Sequence, residues 1–179
     1  GTEAVAAAIK FANLDTGRKG IVATKRGFHG RTMGALAATW EPKYREPFEP
    51  GVPGYTHIAY NDLAAAEVAI SEATAGVIIE IVQGEGGVRP GDAAFLQGVQ
   101  RLCHERGAMF IVDEVQTGFG RTGTLFAHTQ YALQPDLMPI AKSMAGGLPM
   151  GACLIGARVG TLEAMTHGST FGGNPLACA

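Results

Sequence analysis

Short apolar runs alternate with helix-like segments along the whole 179-residue chain, and this alternation limits the fold more than any other feature. Gly20 to Lys25 holds the β-branched pair Ile21-Val22. Gly76 to Val82, Met109-Phe110-Ile111-Val112, Leu137 to Ala141 and Ala152 to Gly156 follow it. Between them the spacing predicts helices over Glu3 to Asn13 with Thr2 as N-cap, over Thr32 to Thr39, from Asn61-Asp62 to about Ala73, and over Asp92 to Gly107. In the last of these, Phe95, Leu96, Val99 and Leu102 share one face and Gly107 supplies the C-cap. Four prolines between Glu41 and Gly54 read as a long loop without regular structure, and Gly84 to Gly91 reads as a glycine-rich loop. Strands alternating with helices predict an α/β fold in which helices cover a mostly parallel or mixed sheet.

In such sheets ligands lie beyond the carboxyl ends of the strands. Two chemically capable groups fall at such ends. Asp113 closes the apolar run from Ala108 to Val112, and Lys142 closes the run around Pro139. A carboxylate for a ring nitrogen and an amine for an aldehyde are what pyridoxal phosphate requires, although two unrelated surface charges would look the same. Neither a GxGxxG that precedes a helix with a later ribose acid nor GxxxxGK[ST] is present, so phosphate needs another binder. Gly1-Thr2 at a helix N-terminus is a candidate, because free N–H groups and the positive helix end favour an anion.

Composition narrows the chemistry further. A formal charge of −2 gives no basic surface for nucleic acid or anionic membrane, which favours small-molecule work. Cys103, Cys153 and Cys178 are odd in number and widely spaced, so they read as small buried hydrophobes and neither disulfides nor zinc ligands. His29, His57, His104, His128 and His167 lack ligand spacing, so they read as satisfied structural histidines and no metal is expected. With no apolar run long enough for a membrane span and no signal peptide, a cytoplasmic protein is expected. The chain starts without methionine and stops where a helix begins, so it reads as an internal piece of a longer polypeptide.

Six segments then carry a resemblance. Gly1-Thr2-Glu3-Ala4, Phe28-His29-Gly30-Arg31-Thr32, Val82-Gln83-Gly84-Glu85-Gly86-Gly87, Asp113 to Gly118, Ala141-Lys142, and Gly168 to Pro175 occur in the order seen in class III, fold-type I aminotransferases. The run Gly34 to Phe48 resembles the acetylornithine branch, specifically its lysine-biosynthesis members that act on N-blocked lysine. The resemblance implies a three-layer sandwich. Residues 1–179 would be the central part of the cofactor-binding large domain, without its N-terminal segment and C-terminal small domain.

It also implies roles. Lys142 would form the imine with pyridoxal 5'-phosphate and shuttle a proton, while Asp113 would bind the ring N–H. Val115 would pack under the ring, Phe28 would stack on the opposite face and Gln116 would donate to the phenolic oxygen. Gly1 and Thr2 would form the phosphate cup, and Thr170 would reach across a homodimer interface to the partner's phosphate. Arg31 would grip the α-carboxylate of the substrate. Glu85 would act as a switch carboxylate toward an arginine outside this chain, and Glu80 would support the site by hydrogen bonding. Ile81 stands where relatives commonly have proline. The implied reaction moves the ω-amino group of an N-acylated ornithine or lysine derivative to 2-oxoglutarate, in arginine or lysine biosynthesis. A transaminase for ornithine or 4-aminobutyrate, and a catalytically incompetent fragment, remain open beside it.

Overall fold

A computed structural model describes all 179 residues. Helix α1 (Thr2–Thr16) leads into β1 (Gly20–Thr24), α2 (Met33–Ala38), the single turn α3 (Pro42–Arg45) and β2 (Tyr55–Ile58). Then come α4 (Leu63–Ala69), β3 (Thr74–Ile79), a small hairpin of β4 (Val82–Gln83) and β5 (Arg89–Pro90), and α5 (Ala93–Arg106). The chain continues through β6 (Met109–Val112), a 3₁₀ turn at Ala127–Tyr131, β7 (Leu137–Ile140), a second 3₁₀ turn at Lys142–Ala145, and β8 (Ala152–Ile155), and finishes at α6 (Pro175–Cys178).

Six strands form one sheet in the order β2-β1-β3-β6-β7-β8. Neighbours from β2 to β7 are parallel, and β8 closes the edge antiparallel to β7. Both faces are covered, as parallel sheets require. Alternate side chains show it: Val22, Val77, Ile79, Phe110 and Val112 pack with Phe95, Leu96 and Val99 of α5 and Ala66 of α4. Ile21, Ala23, Ile78, Met109 and Ile111 pack on the other side against Val5, Ala8, Ile9 and Ala12 of α1. The expected three-layer α/β sandwich is therefore the observed one.

Several local expectations change. Gly1, not Thr2, is the N-cap of α1, and the Thr2 hydroxyl turns sideways to the loop after β1. The stretch after Glu41 is not structureless: Pro42 sits in the first turn of α3 and Pro47 in a 3₁₀ turn, where a missing N–H costs nothing. Helix α4 stops at Ala69, four residues early, because Ser71 N–H donates to Thr74 Oγ1 at 2.9 Å and opens the turn into β3. Strand β2 was missed altogether. Its sequence, Tyr55-Thr56-His57-Ile58, buries only Ile58, the pattern of a sheet edge. The glycine-rich stretch carries the β4–β5 hairpin. Of the cysteines only Cys103 is buried; Cys178 is exposed.

Candidate active site

The sheet order changes direction between β1 and β3, since β2 lies beyond β1 on one side and β3 on the other. Crevices form at the carboxyl edge of such a switch point. Here a cavity of about 350 Å³ is lined by Gly1, Thr2, Phe28, His29, Gly30, Arg31, Glu80, Gly84, Glu85, Asp113, Val115, Gln116 and Lys142. Its walls come from the loops after β1, β3, β6 and β7 and from the N-terminus of α1, which explains how segments scattered over 142 residues converge.

Asp113 directly follows β6. Its N–H donates to Ile79 O at 2.8 Å and the next N–H, of Glu114, donates to Pro139 O at 3.1 Å, so the strand end is clamped between both neighbours. Successive side chains then point opposite ways. Asp113 lines the cavity, whereas buried Glu114 turns to the following loop and accepts from Thr117 Oγ1 at 2.5 Å, Ala127 N at 3.1 Å and His128 N at 2.7 Å. Lys142 stands two residues beyond β7, in the left-handed region at φ 45°. That conformation costs an ordinary residue about 1 kcal/mol and aims the amine across the cavity, where Nζ donates to Gln116 Oε1.

Phe28 is half-buried and meets Tyr44 edge to face, 5.9 Å between centroids. The same Tyr44 ring lies 4.1 Å beneath the exposed Arg31 guanidinium. Glu80, buried at the end of β3, accepts the Phe28 N–H at 3.0 Å, which is the hydrogen-bonding support expected of it. Burial pushes its carboxyl up to about 7, with nearby Asp113 adding to the effect and His29 opposing it. Thr2 Oγ1 accepts the N–H groups of Arg31 and Thr32, both at 3.2 Å, and so pins the start of α1 to the Phe28–Thr32 loop.

Thr170 stands apart. It is exposed and lies outside this cavity, while its neighbours Ser169 and Phe171 line an adjoining cavity of about 910 Å³ that shares Gly1 and Lys142. Two residues went unassigned in the sequence. Tyr44 was hidden among prolines, although it is an aromatic in a polar stretch. His29 is not a satisfied structural histidine: Nδ1 lies 2.8 Å from Asp113 Oδ2, and buried Nε2 has no partner. No local pattern could have found that contact, because 84 residues separate the pair.

A doubly wound sheet with a lysine and a carboxylate facing one switch-point cavity defines a cofactor-binding α/β domain. The chain belongs to the class-III aminotransferase family, whose model matches residues 1–179. It is 54% identical over 178 residues to a Pyrococcus horikoshii protein provisionally named LysW-aminoadipate semialdehyde/glutamate semialdehyde transaminase, covering 99% of this chain and 48% of that one. It is 53% identical to the acetylornithine aminotransferase of Methanopyrus kandleri, covering 100% and 46%. The crystal structure of ornithine aminotransferase from Toxoplasma gondii superposes with a TM-score of 0.92 at 34% identity, over 99% of this chain and 45% of that one. The chain thus spans about half the length of the relatives it matches.

The family is one of pyridoxal-phosphate enzymes, and the residues present fit that group. The cavity offers the Lys142 amine, the buried carboxylates of Asp113 and Glu80, and an aromatic wall at Phe28 beside the N-terminus of a fifteen-residue helix. Gly30 matters for the fit, since a Cβ there would lie 2.7 Å from Thr2 Cβ and crowd the helix start.

Proposed function

We propose that this chain is the central part of the large domain of a transaminase that moves the ω-amino group of an N-acylated ornithine or lysine derivative to 2-oxoglutarate. The observation that carries the reading is the placement of Asp113 and Lys142 after the adjacent parallel strands β6 and β7, facing one cavity. The names of the relatives, which include acetylornithine and LysW-aminoadipate semialdehyde transaminases, support the ω-amine class.

Bound pyridoxal phosphate would supply an aldehyde that joins amines and a protonated ring that draws electrons from the neighbouring carbon. Lys142 Nζ would hold the group through its aldehyde and, as a free amine, would serve to move a proton at the substrate carbon. Asp113, buried at the end of β6, would hold the ring N–H with its carboxylate. Val115 and Phe28, both lining the cavity, would hold the ring by apolar contact. Gln116 is engaged through Oε1 by Lys142, which leaves its amide N–H for the phenolic oxygen. Gly1 and Thr2 hold the phosphate at the α1 N-terminus.

Arg31 binds the substrate carboxylate through its planar fork, steadied by Tyr44. Glu85, exposed at the cavity mouth, is placed to exchange partners as donor and acceptor alternate. Thr170, exposed on this chain, is assigned to the partner's phosphate in a homodimer. Amino-donor profiling of the full-length protein with 2-oxoglutarate tests the substrate class. Preference for N-acylated ω-amines is expected, and a strong preference for 4-aminobutyrate overturns it. The Lys142→Ala protein should lose the absorbance band of the covalently held cofactor.

A further inference from the structure

Phe28 and Arg31 reach the cavity from the loop between β1 and α2, which has no ladder or helix bonds of its own. Four of the five N–H groups from Phe28 to Thr32 donate to side-chain oxygens of other elements, and none donates to a backbone oxygen. Glu80 takes Phe28 and Thr2 takes Arg31 and Thr32, while the His29 N–H goes to Thr39 Oγ1 at 2.9 Å. The same hydroxyl lies 3.0 Å from Gly30 O, which has no other donor. Its second possible acceptor, Ala35 O, is 3.2 Å away and already bonded by Thr39 N–H, so the hydroxyl proton is best used on Gly30. Thr39 is completely buried and water does not compete for these bonds. Trp40 N–H donates to Gly27 O at 2.9 Å and closes the base of the loop against the same segment.

We infer that Thr39 is a positioning residue for the substrate: its hydroxyl holds the peptide that leaves Phe28 and the peptide that enters Arg31, and so fixes where the guanidinium stands relative to the aromatic wall. The inference rests on the role proposed above for Arg31. The His29 N–H belongs to the peptide bond after Phe28, and Gly30 O to the peptide bond before Arg31. Because each peptide is planar, one anchored atom in each sets the direction in which both side chains leave the loop. The end of α2 does not need this hydroxyl, since Thr39 N–H already closes it on Ala35 O and Leu36 O. A threonine serving its own helix would give its proton to the carbonyl four residues back, and here that contact is the longer one. The exposed Arg31 guanidinium forms no ion pair within the chain and leans on the Tyr44 ring, so its placement depends on its backbone. Without the hydroxyl two buried backbone groups lose their partners, and the loop has to shift to recover them.

The test uses the full-length protein with pyridoxal phosphate bound, 2-oxoglutarate as acceptor, and N-acetylornithine or N-acetyllysine as donor, whichever it uses better. Thr39→Val keeps the shape and removes the hydroxyl, whereas Thr39→Ser keeps the hydroxyl. Thr39→Val should raise KM for the donor about tenfold and change kcat less, because a carboxylate grip away from the reacting carbon binds substrate and transition state alike. Thr39→Ser should recover most of the loss. In a protein that already carries Arg31→Lys, Thr39→Val should add little to the rise in KM, since it acts through that side chain; damage elsewhere in the fold would multiply with it. A folded Thr39→Val with wild-type KM, a Thr39→Ser no better than Thr39→Val, or effects that multiply in the double variant overturn the inference. Should Thr39→Val fail to fold, Thr39→Cys takes its place throughout, since a thiol keeps the volume and forms longer, weaker hydrogen bonds; a wild-type KM then overturns the inference. An unchanged KM in Arg31→Lys alone overturns the reading of Arg31 itself, and this inference with it.

Discussion

Thr2 Oγ1 lies 2.8 Å from Thr32 Oγ1, which joins the first residue of α1 to the N-cap of α2. The junction depends on Gly30, whose φ of 124° no residue with a Cβ adopts readily and whose Cα faces the Thr2 side chain. Gly30→Ala should therefore destabilise the protein by about 2–4 kcal/mol through backbone strain and displacement of Thr2. It should also weaken phosphate-dependent cofactor binding. Denaturant titration and cofactor affinity check it; a stability change below about 0.5 kcal/mol, typical of ordinary surface substitutions, would sink the argument.

Glu114 gathers one side-chain hydroxyl, two backbone N–H groups and His128 Nδ1 at 3.1 Å around one buried carboxylate. Burial alone would raise its pKa, but the bonds from His128, Thr117 and Ala127 prevail and hold it below the usual value. A depressed carboxylate contributes stability above the unfolded pKa and loses it as pH falls through the folded one. Glu114→Gln should cost about 3 kcal/mol at pH 7, because an amide N–H₂ is turned against donors. The deficit should shrink toward acid pH. A constant deficit between pH 7 and pH 3 in denaturation midpoints would count against it.

Glu80 behaves in the opposite sense. Its carboxyl titrates near 7 in the folded chain and at the ordinary value of 4.5 when unfolded, so the folded state holds the extra proton between those values. Stability therefore falls as pH rises through this window, by at most about 3 kcal/mol. Glu80→Gln keeps an oxygen for Phe28 N–H and removes the titration. The cofactor-free variant should match wild type near pH 5 and exceed it at pH 8. An equal offset at both pH values would show that the effect is not ionisation.

Arg31 and Tyr44 form a stacked pair at 4.1 Å. If the guanidinium fork binds a substrate carboxylate, Arg31→Lys should raise KM for the amine by about tenfold or more while cofactor affinity stays unchanged. Tyr44→Leu should give a smaller increase, since an exposed cation–π contact contributes about 0.5–1 kcal/mol. Equal KM values in wild type and Arg31→Lys would remove Arg31 from that role.

The central strands were legible because β3 and β6, buried on both faces, have to be continuous apolar runs. Helix α5 announced both ends through Asp92 and Gly107. Strand β2 was not legible: an edge strand buries one side chain in four, which leaves no period to read. In the site, Asp113 and Lys142 could be noticed locally because each terminates an apolar run. Their common cavity could not, since it follows from the parallel pairing of β6 with β7.

The sequence by itself determined the layer architecture, through patterns whose period is that of the element being formed, and it marked the charged strand ends where ligands bind. Only the tertiary structure decided which distant groups share a dry space. The change of direction between β1 and β3 brings the Phe28–Arg31 loop over the ends of β3 and β6, and this places His29 against Asp113 and Glu80 under Phe28. The physical reason is that pairing order is set by how whole faces of the sheet are covered, a property of the assembled core that no single segment carries.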